Sequence, residues 1–97
     1  MRVAIFAEVD TNFAEGPAIW LVAVARMLAA RSGWAVTILL RTRRIRSEVL
    51  EPLSGLDNVT LVDPFSLGWT EEAVRPQLSV ERAVDFLERL DKERRFD

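Results

Sequence analysis

Within the first forty residues, two short apolar runs frame a long one. Arg2-Val3-Ala4-Ile5-Phe6-Ala7 gives way to a polar loop from Glu8 to Glu15, a Gly16-Pro17 hinge and an apolar stretch over 18–30. Gly33 closes that stretch before a second short run over 34–40. The short runs are nearly continuous instead of alternating, the pattern of strands covered on both faces in a parallel sheet. The stretch between them is long enough for the helix that a parallel connection needs. A strand that feeds a helix through a glycine-bearing loop also leaves free N–H groups at the helix start, so the pattern can supply an anion site from backbone alone. It points to a class of ligand and to no particular reaction.

At 97 residues, 49% of them apolar, the chain supports one small domain whose core needs neither disulfide nor metal. The absence of cysteine removes thiol nucleophiles and the cysteine-based zinc and iron–sulfur motifs. The absence of histidine removes the commonest general base and nitrogen ligand, leaving carboxylates, arginines and one lysine, Lys92, for any chemistry. No metal and no cofactor is expected. A formal charge of −2 gives no overall attraction for nucleic acid, and no such partner is expected. The N-terminus has only Arg2 ahead of a short apolar strand, unlike a secretory signal. The longest apolar run, Pro17 to Ala25, is well short of the roughly 20 residues that span a bilayer. A cytoplasmic setting is the default expectation.

A third apolar run over 58–62 predicts another strand. A weaker helix over 47–53, capped by Ser47 and shortened or distorted by Pro52, links it to the second. The turn-rich Asp63-Pro64-Phe65-Ser66-Leu67-Gly68 then leads to one helical turn near 70–74. Ser79 caps a last helix in which Val80, Ala83, Val84, Leu87 and Leu90 recur at helical spacing, with Glu81, Arg82, Asp85, Glu88, Arg89 and Lys92 on the wet face. The first helix, charged only at Arg26 and Arg31, is expected to be covered on more than one side. The order βαβαβ followed by a helix predicts the α/β class, a Rossmann-like three-layer α/β/α domain around a small parallel sheet with strands at about 2–7, 34–40 and 58–62. No linker interrupts residues 1–97, which read as a single domain. Phe96-Asp97 reads as the approach to a further strand, so the chain is expected to be a fragment of a larger N-terminal domain.

Three groups of residues are candidates for function. The loop from Glu8 to Pro17 lies at the carboxyl end of the first strand, where open α/β sheets bind ligands. Pro17 suits the first helical position, and the next amides, Ala18 and Ile19, are placed to meet a phosphate, although Gly16-Pro17 is equally a good helix start. Neither G-x-G-x-x-G nor G-x-x-x-x-G-K-[ST] occurs, which argues against a dinucleotide dehydrogenase and a P-loop nucleotidase. A phosphoacceptor receiver domain would need a lysine after a later strand, and the one lysine is on the last helix. The second group is Arg41, Arg43, Arg44 and Arg46, which could hold a phosphate, nucleic acid or an anionic lipid surface, the last a peripheral membrane contact. The preferred reading is a solvated loop pairing with Glu48 and Glu51, since no aromatics interleave with the arginines. The third group is the tryptophans. Trp20 and Trp34 are expected in the core. Trp69, beside Phe65 and Leu67, is expected to line a cleft or cover the sheet, and Asp63 is not read as catalytic.

The strand Arg2-Val3-Ala4-Ile5-Phe6-Ala7-Glu8, the loop to Gly16, the helix Trp20-Leu21-Val22-Ala23-Val24-Ala25-Arg26-Met27-Leu28-Ala29 and the strand Trp34-Ala35-Val36-Thr37-Ile38-Leu39-Leu40 together resemble the start of a family 4-type glycosyltransferase. Asn58-Val59-Thr60-Leu61-Val62-Asp63-Pro64 resembles that family's third strand, and the closing Arg95-Phe96-Asp97 resembles its approach to the fourth. The chain departs from the family pattern in having Gly16 followed by proline where paired glycines are common, and Trp34 where histidine is frequent. The resemblance implies a GT-B architecture of two Rossmann-like domains, with this chain as part of the N-terminal one. It implies a nucleotide-sugar donor and an acceptor as partners of the full-length protein. By position, Gly16, Pro17 and Ala18 would border the donor diphosphate, and Asp10, Asn12 and Phe13 would face the acceptor. It implies no catalytic residue within these 97 and no activity for the chain alone.

The expected function is therefore the acceptor-side segment of a glycosyltransferase. The alternative is a stand-alone α/β interaction or regulatory domain without catalysis. In either case the far side of the first strand is expected to be an open edge, and an oligomer or sheet completion by another chain is the expected way to cover it.

Overall fold

The computed structural model describes residues 1–8, 15–42, 48–63 and 80–97. Three strands, β1 (Arg2–Ala7), β2 (Ala35–Leu40) and β3 (Val59–Val62), form a parallel sheet in the order β1-β2-β3. The helix α1 (Gly16–Ala29) connects β1 to β2, and α2 (Val80–Arg94) follows β3 in the chain. The small parallel α/β class read from the sequence is thus the fold of the described residues.

Side-chain alternation explains the layering. Val36, Ile38 and Leu40 of β2 join Ala7 and the α1 residues Leu21, Val22 and Ala25 in one core cluster, with Ile5, Val59 and Leu61 packed against it. Leu39 and Val62 point the other way and meet Ala83, Phe86 and Leu90 of α2, with Phe6 and Phe96 at the margin. A helix therefore covers each face of the sheet, and every strand needs apolar side chains on both sides. Val36, Ile38, Leu39 and Leu40 are fully buried. Each such side chain stabilises the fold by about 1.5–3 kcal/mol, so β2 is the hydrophobic centre.

Several local expectations are corrected. The helix α1 starts at Gly16 with Glu15 as its extended N-cap, so Gly16 is helical and Pro17 occupies the second helical position instead of the first. Proline fits there for the same reason, because first-turn amides have no partner within the helix. The helix foreseen over 47–53 reduces to a 3-10 turn at Glu51–Leu53, with Pro52 inside it. Its Leu50 and Leu53 still fill the core beside α1. On α2 the buried face is Ala83, Phe86 and Leu90, while Val80 and Val84 are 53% and 49% exposed. Phe86, the largest apolar side chain on that helix, takes the buried position, which rotates the packed face away from Val80 and Val84. Trp20 is not in the core: it is 68% exposed, next to Ile19 and on the same side as Met27, also exposed. Among the described residues α1 is covered on one side only. Trp34 is half-buried, with the Arg31 guanidinium 5.0 Å from its ring centroid, a cation–π contact. Ser47, Ser79, Trp69, Phe65, Leu67 and the turn expected near 70–74 lie outside the described residues.

The junction between α1 and β2 is closed by three polar contacts. Gly33 adopts φ +78, the left-handed conformation that glycine enters without steric cost. Its carbonyl accepts from the Met1 ammonium at 2.8 Å. Asn58 donates both amide protons, to the Ala29 carbonyl at 2.7 Å and to the Trp34 carbonyl at 2.8 Å, so one side chain ties the end of α1 and the start of β2 to the loop before β3. Nothing in the sequence pattern marked Asn58. Replacing Asn58→Asp presents acceptors to two carbonyls, and the expected cost is about 2 kcal/mol. It would be read as a lower urea midpoint with an unchanged slope.

Candidate functional site

Because the strands are parallel and in register, Ala7 beside Leu40 and Leu39 beside Val62, their carboxyl ends lie along one edge. Glu8, Arg41 and Asp63 leave the sheet there. The start of α1 is at the same edge, since the helix must return to begin β2 at the other. This is the crevice where open α/β sheets hold ligands.

The first turn of α1 contains no acidic residue, and no side chain caps it. Pro17 has no N–H, and the Ile19 amide donates to the Glu15 carbonyl at 3.0 Å, so Ile19 is not available to a phosphate as the sequence suggested. The first-turn donors that remain are the amides of Gly16 and Ala18. Gly16 and Pro17 are exposed, whereas the Ala18 side chain is buried in the core and only its backbone could meet a ligand. Among the described residues, a Cβ built on Gly16 would meet nothing within 4 Å. The helix dipole adds a partial positive charge at this end.

Arg41 is the second component. Its Nη1 donates to the Glu8 carbonyl at 3.3 Å, which spans the ends of β1 and β2. Its Nε is buried and has no hydrogen-bond partner. A guanidinium at the same sheet edge as a helix start is suited to a diphosphate or another multidentate anion. The arrangement can bind and orient such a group. Among the described residues no three His, Cys, Asp or Glu side chains are grouped to hold a metal ion.

The structure places Gly16, Pro17, Ala18 and Arg41 on one edge. Asp10, Asn12 and Phe13 of the proposed acceptor loop, and Arg43, Arg44 and Arg46 of the basic cluster, lie outside the described residues. A cavity of about 260 Å³ opens at the opposite, amino edge, lined by Arg2, Thr37, Asp57, Thr60, Glu93 and Arg94 among others. Its charges are mixed in sign and it is remote from the helix start, so the carboxyl edge is the better anion site on physical grounds. Among the described residues no helix is long and apolar enough to cross a membrane.

Comparison with protein-family models, with curated proteins and with solved structures finds no match. The site's geometry separates function from folding at one position. With open space at its Cβ and no positive φ, Gly16→Leu is expected to change stability by no more than about 0.5 kcal/mol in chemical denaturation.

Proposed function

We propose that this chain is the acceptor-side segment of a family 4-type glycosyltransferase, and that its carboxyl edge borders the diphosphate of a nucleotide-sugar donor. The observation that carries the reading is the pairing of an α1 start that has no acid in its first turn and no side-chain cap with the Arg41 guanidinium at the same edge. The parallel α/β order and the residues quoted for the resemblance agree with it. The Gly16 and Ala18 amides would accept one phosphoryl group as hydrogen-bond donors, and Arg41 would clamp oxygens of either phosphoryl group in fork geometry. The resemblance places the residues that act on the sugar outside these 97. On that reading the 97-residue chain alone is expected to bind and not to transfer.

A second reading, an interaction domain without catalysis, draws on the exposed Ile19, Trp20 and Met27 of α1. The two readings part in one titration. Inorganic pyrophosphate added to the 15N-labelled chain is expected to shift the Gly16 and Ala18 amides saturably. Arg41→Gln is expected to weaken binding about tenfold, the loss of one charge-assisted hydrogen bond, and Gly16→Leu to weaken it without unfolding the chain. No response at those amides would remove the donor reading. Self-association abolished by Trp20→Glu, with no anion binding, would establish the second.

A further inference from the structure

The sheet face under the end of α2 is not filled. Leu39 and Val62 meet α2 on that face, so Thr37 and Thr60, each two residues earlier and opposite one another in register, lie on it as well. They are small and polar where Leu39 and Val62 are larger and apolar. Arg2 and Ala35, paired in register, continue the face toward the amino edge, and α2 ends near them at Arg94. The cavity of about 260 Å³ opens here, between these strand ends and the residues that close α2. It is far larger than a single water needs, and a little below the span of about 300–1,000 Å³ typical of sites for drug-sized ligands. A small metabolite is the size of occupant it suits.

Its polar groups are sorted by depth. Thr37 is only 6% exposed, and Arg94, which lines the cavity with it, has a buried Nε with no hydrogen-bond partner among the described residues. A buried guanidinium donor left unpaired costs free energy that an incoming carboxylate would recover. Arg2 adds a second guanidinium, held by the bond from its Nη1 to the Arg94 carbonyl at 2.6 Å. The carboxylates lie further out: Asp57 and Glu93 both line the cavity and both are exposed. Glu93 is in the last turn of α2, where the negative end of the helix dipole also favours a cation. A simple anion would meet these carboxylates, and a simple cation would meet the arginines. A molecule carrying both charges answers the whole lining.

We propose that this amino-edge cavity is a binding site for a small zwitterion of the free amino acid type, with its carboxylate directed inward to Arg94 and Thr37 and its ammonium outward to Asp57 and Glu93. Its side chain would rest against Phe96, which supplies an apolar wall. The proposal does not depend on the donor reading, because the cavity lies at the other end of the strands and shares no residue with Gly16, Ala18 and Arg41. It holds equally for a glycosyltransferase segment and for a domain without catalysis.

Titration of the 15N-labelled 97-residue chain tests it. The probes are L-valine, isovalerate, which is valine without its ammonium, and isobutylamine, which is valine without its carboxylate. Valine is expected to shift the Thr37 and Thr60 amides and the Arg94 Nε–H saturably. Each analogue is expected to bind about tenfold more weakly or worse, since it leaves one set of charges unanswered. Asp57→Asn, at an exposed position, is expected to weaken valine about tenfold and to leave isovalerate unchanged or tighter. Pyrophosphate is expected to leave Thr37 and Thr60 unmoved, so the result here is separate from the result at Gly16 and Ala18. The absence of saturable valine shifts, or shifts only at residues away from the cavity, would overturn the proposal. So would isovalerate binding as tightly as valine with no effect of Asp57→Asn, which would mark a plain carboxylate site, or isobutylamine binding as tightly, which would mark a cation site.

Discussion

The fold depends on the desolvation of β2. With every residue from Val36 to Leu40 buried, its backbone N–H and carbonyl groups have no water to turn to and must be paired on both sides. Alternate groups go to β1 and to β3, as the Ala35 bond to Met1 and the 2.8 Å bond from Val36 to Asn58 show at its start. The same burial requires apolar cover on each face, which α1 and α2 supply. Parallel strands and alternating helix cover are therefore consequences of one buried segment of five residues, Val36 to Leu40.

That segment was legible because its composition is unusual. A run of Ala-Val-Thr-Ile-Leu-Leu has no polar face to offer water, and the matching run in β1 leads to the same conclusion. The long apolar stretch between them could only be a connecting helix. Less legible was which face of each helix is packed. On α2, Val84 and Phe86 both fit an apolar stripe, and periodicity does not say which one meets Leu39. On α1, residues are apolar nearly all round, so the pattern could not show that Trp20 lies on the uncovered side. Asn58 escaped notice because a single amide in a loop carries no periodic signal, although it binds two carbonyls from different elements.

The location of the candidate site could be inferred from topology, since every parallel strand ends on the same edge. Its chemistry could be read only in part. The Gly16-Pro17 pair signalled a helix start, but the use of the Ile19 amide within the helix and the reach of Arg41 to the Glu8 carbonyl are matters of geometry. Arg41 stands out in the sequence as one of four clustered arginines, a pattern that reads as a solvated loop. Its buried Nε gives it a different character from an exposed surface charge.

The claim that β2 organises the domain is tested most directly by native-state hydrogen exchange across its amides under increasing denaturant. Thr37 and Leu39, directed to β1, and Val36, Ile38 and Leu40, directed to β3, are all expected to exchange only through global unfolding, with one shared denaturant dependence. Exchange of either set through a smaller opening, while the other stays protected, would mean that one flanking strand detaches independently and that β2 is not the common centre of the fold.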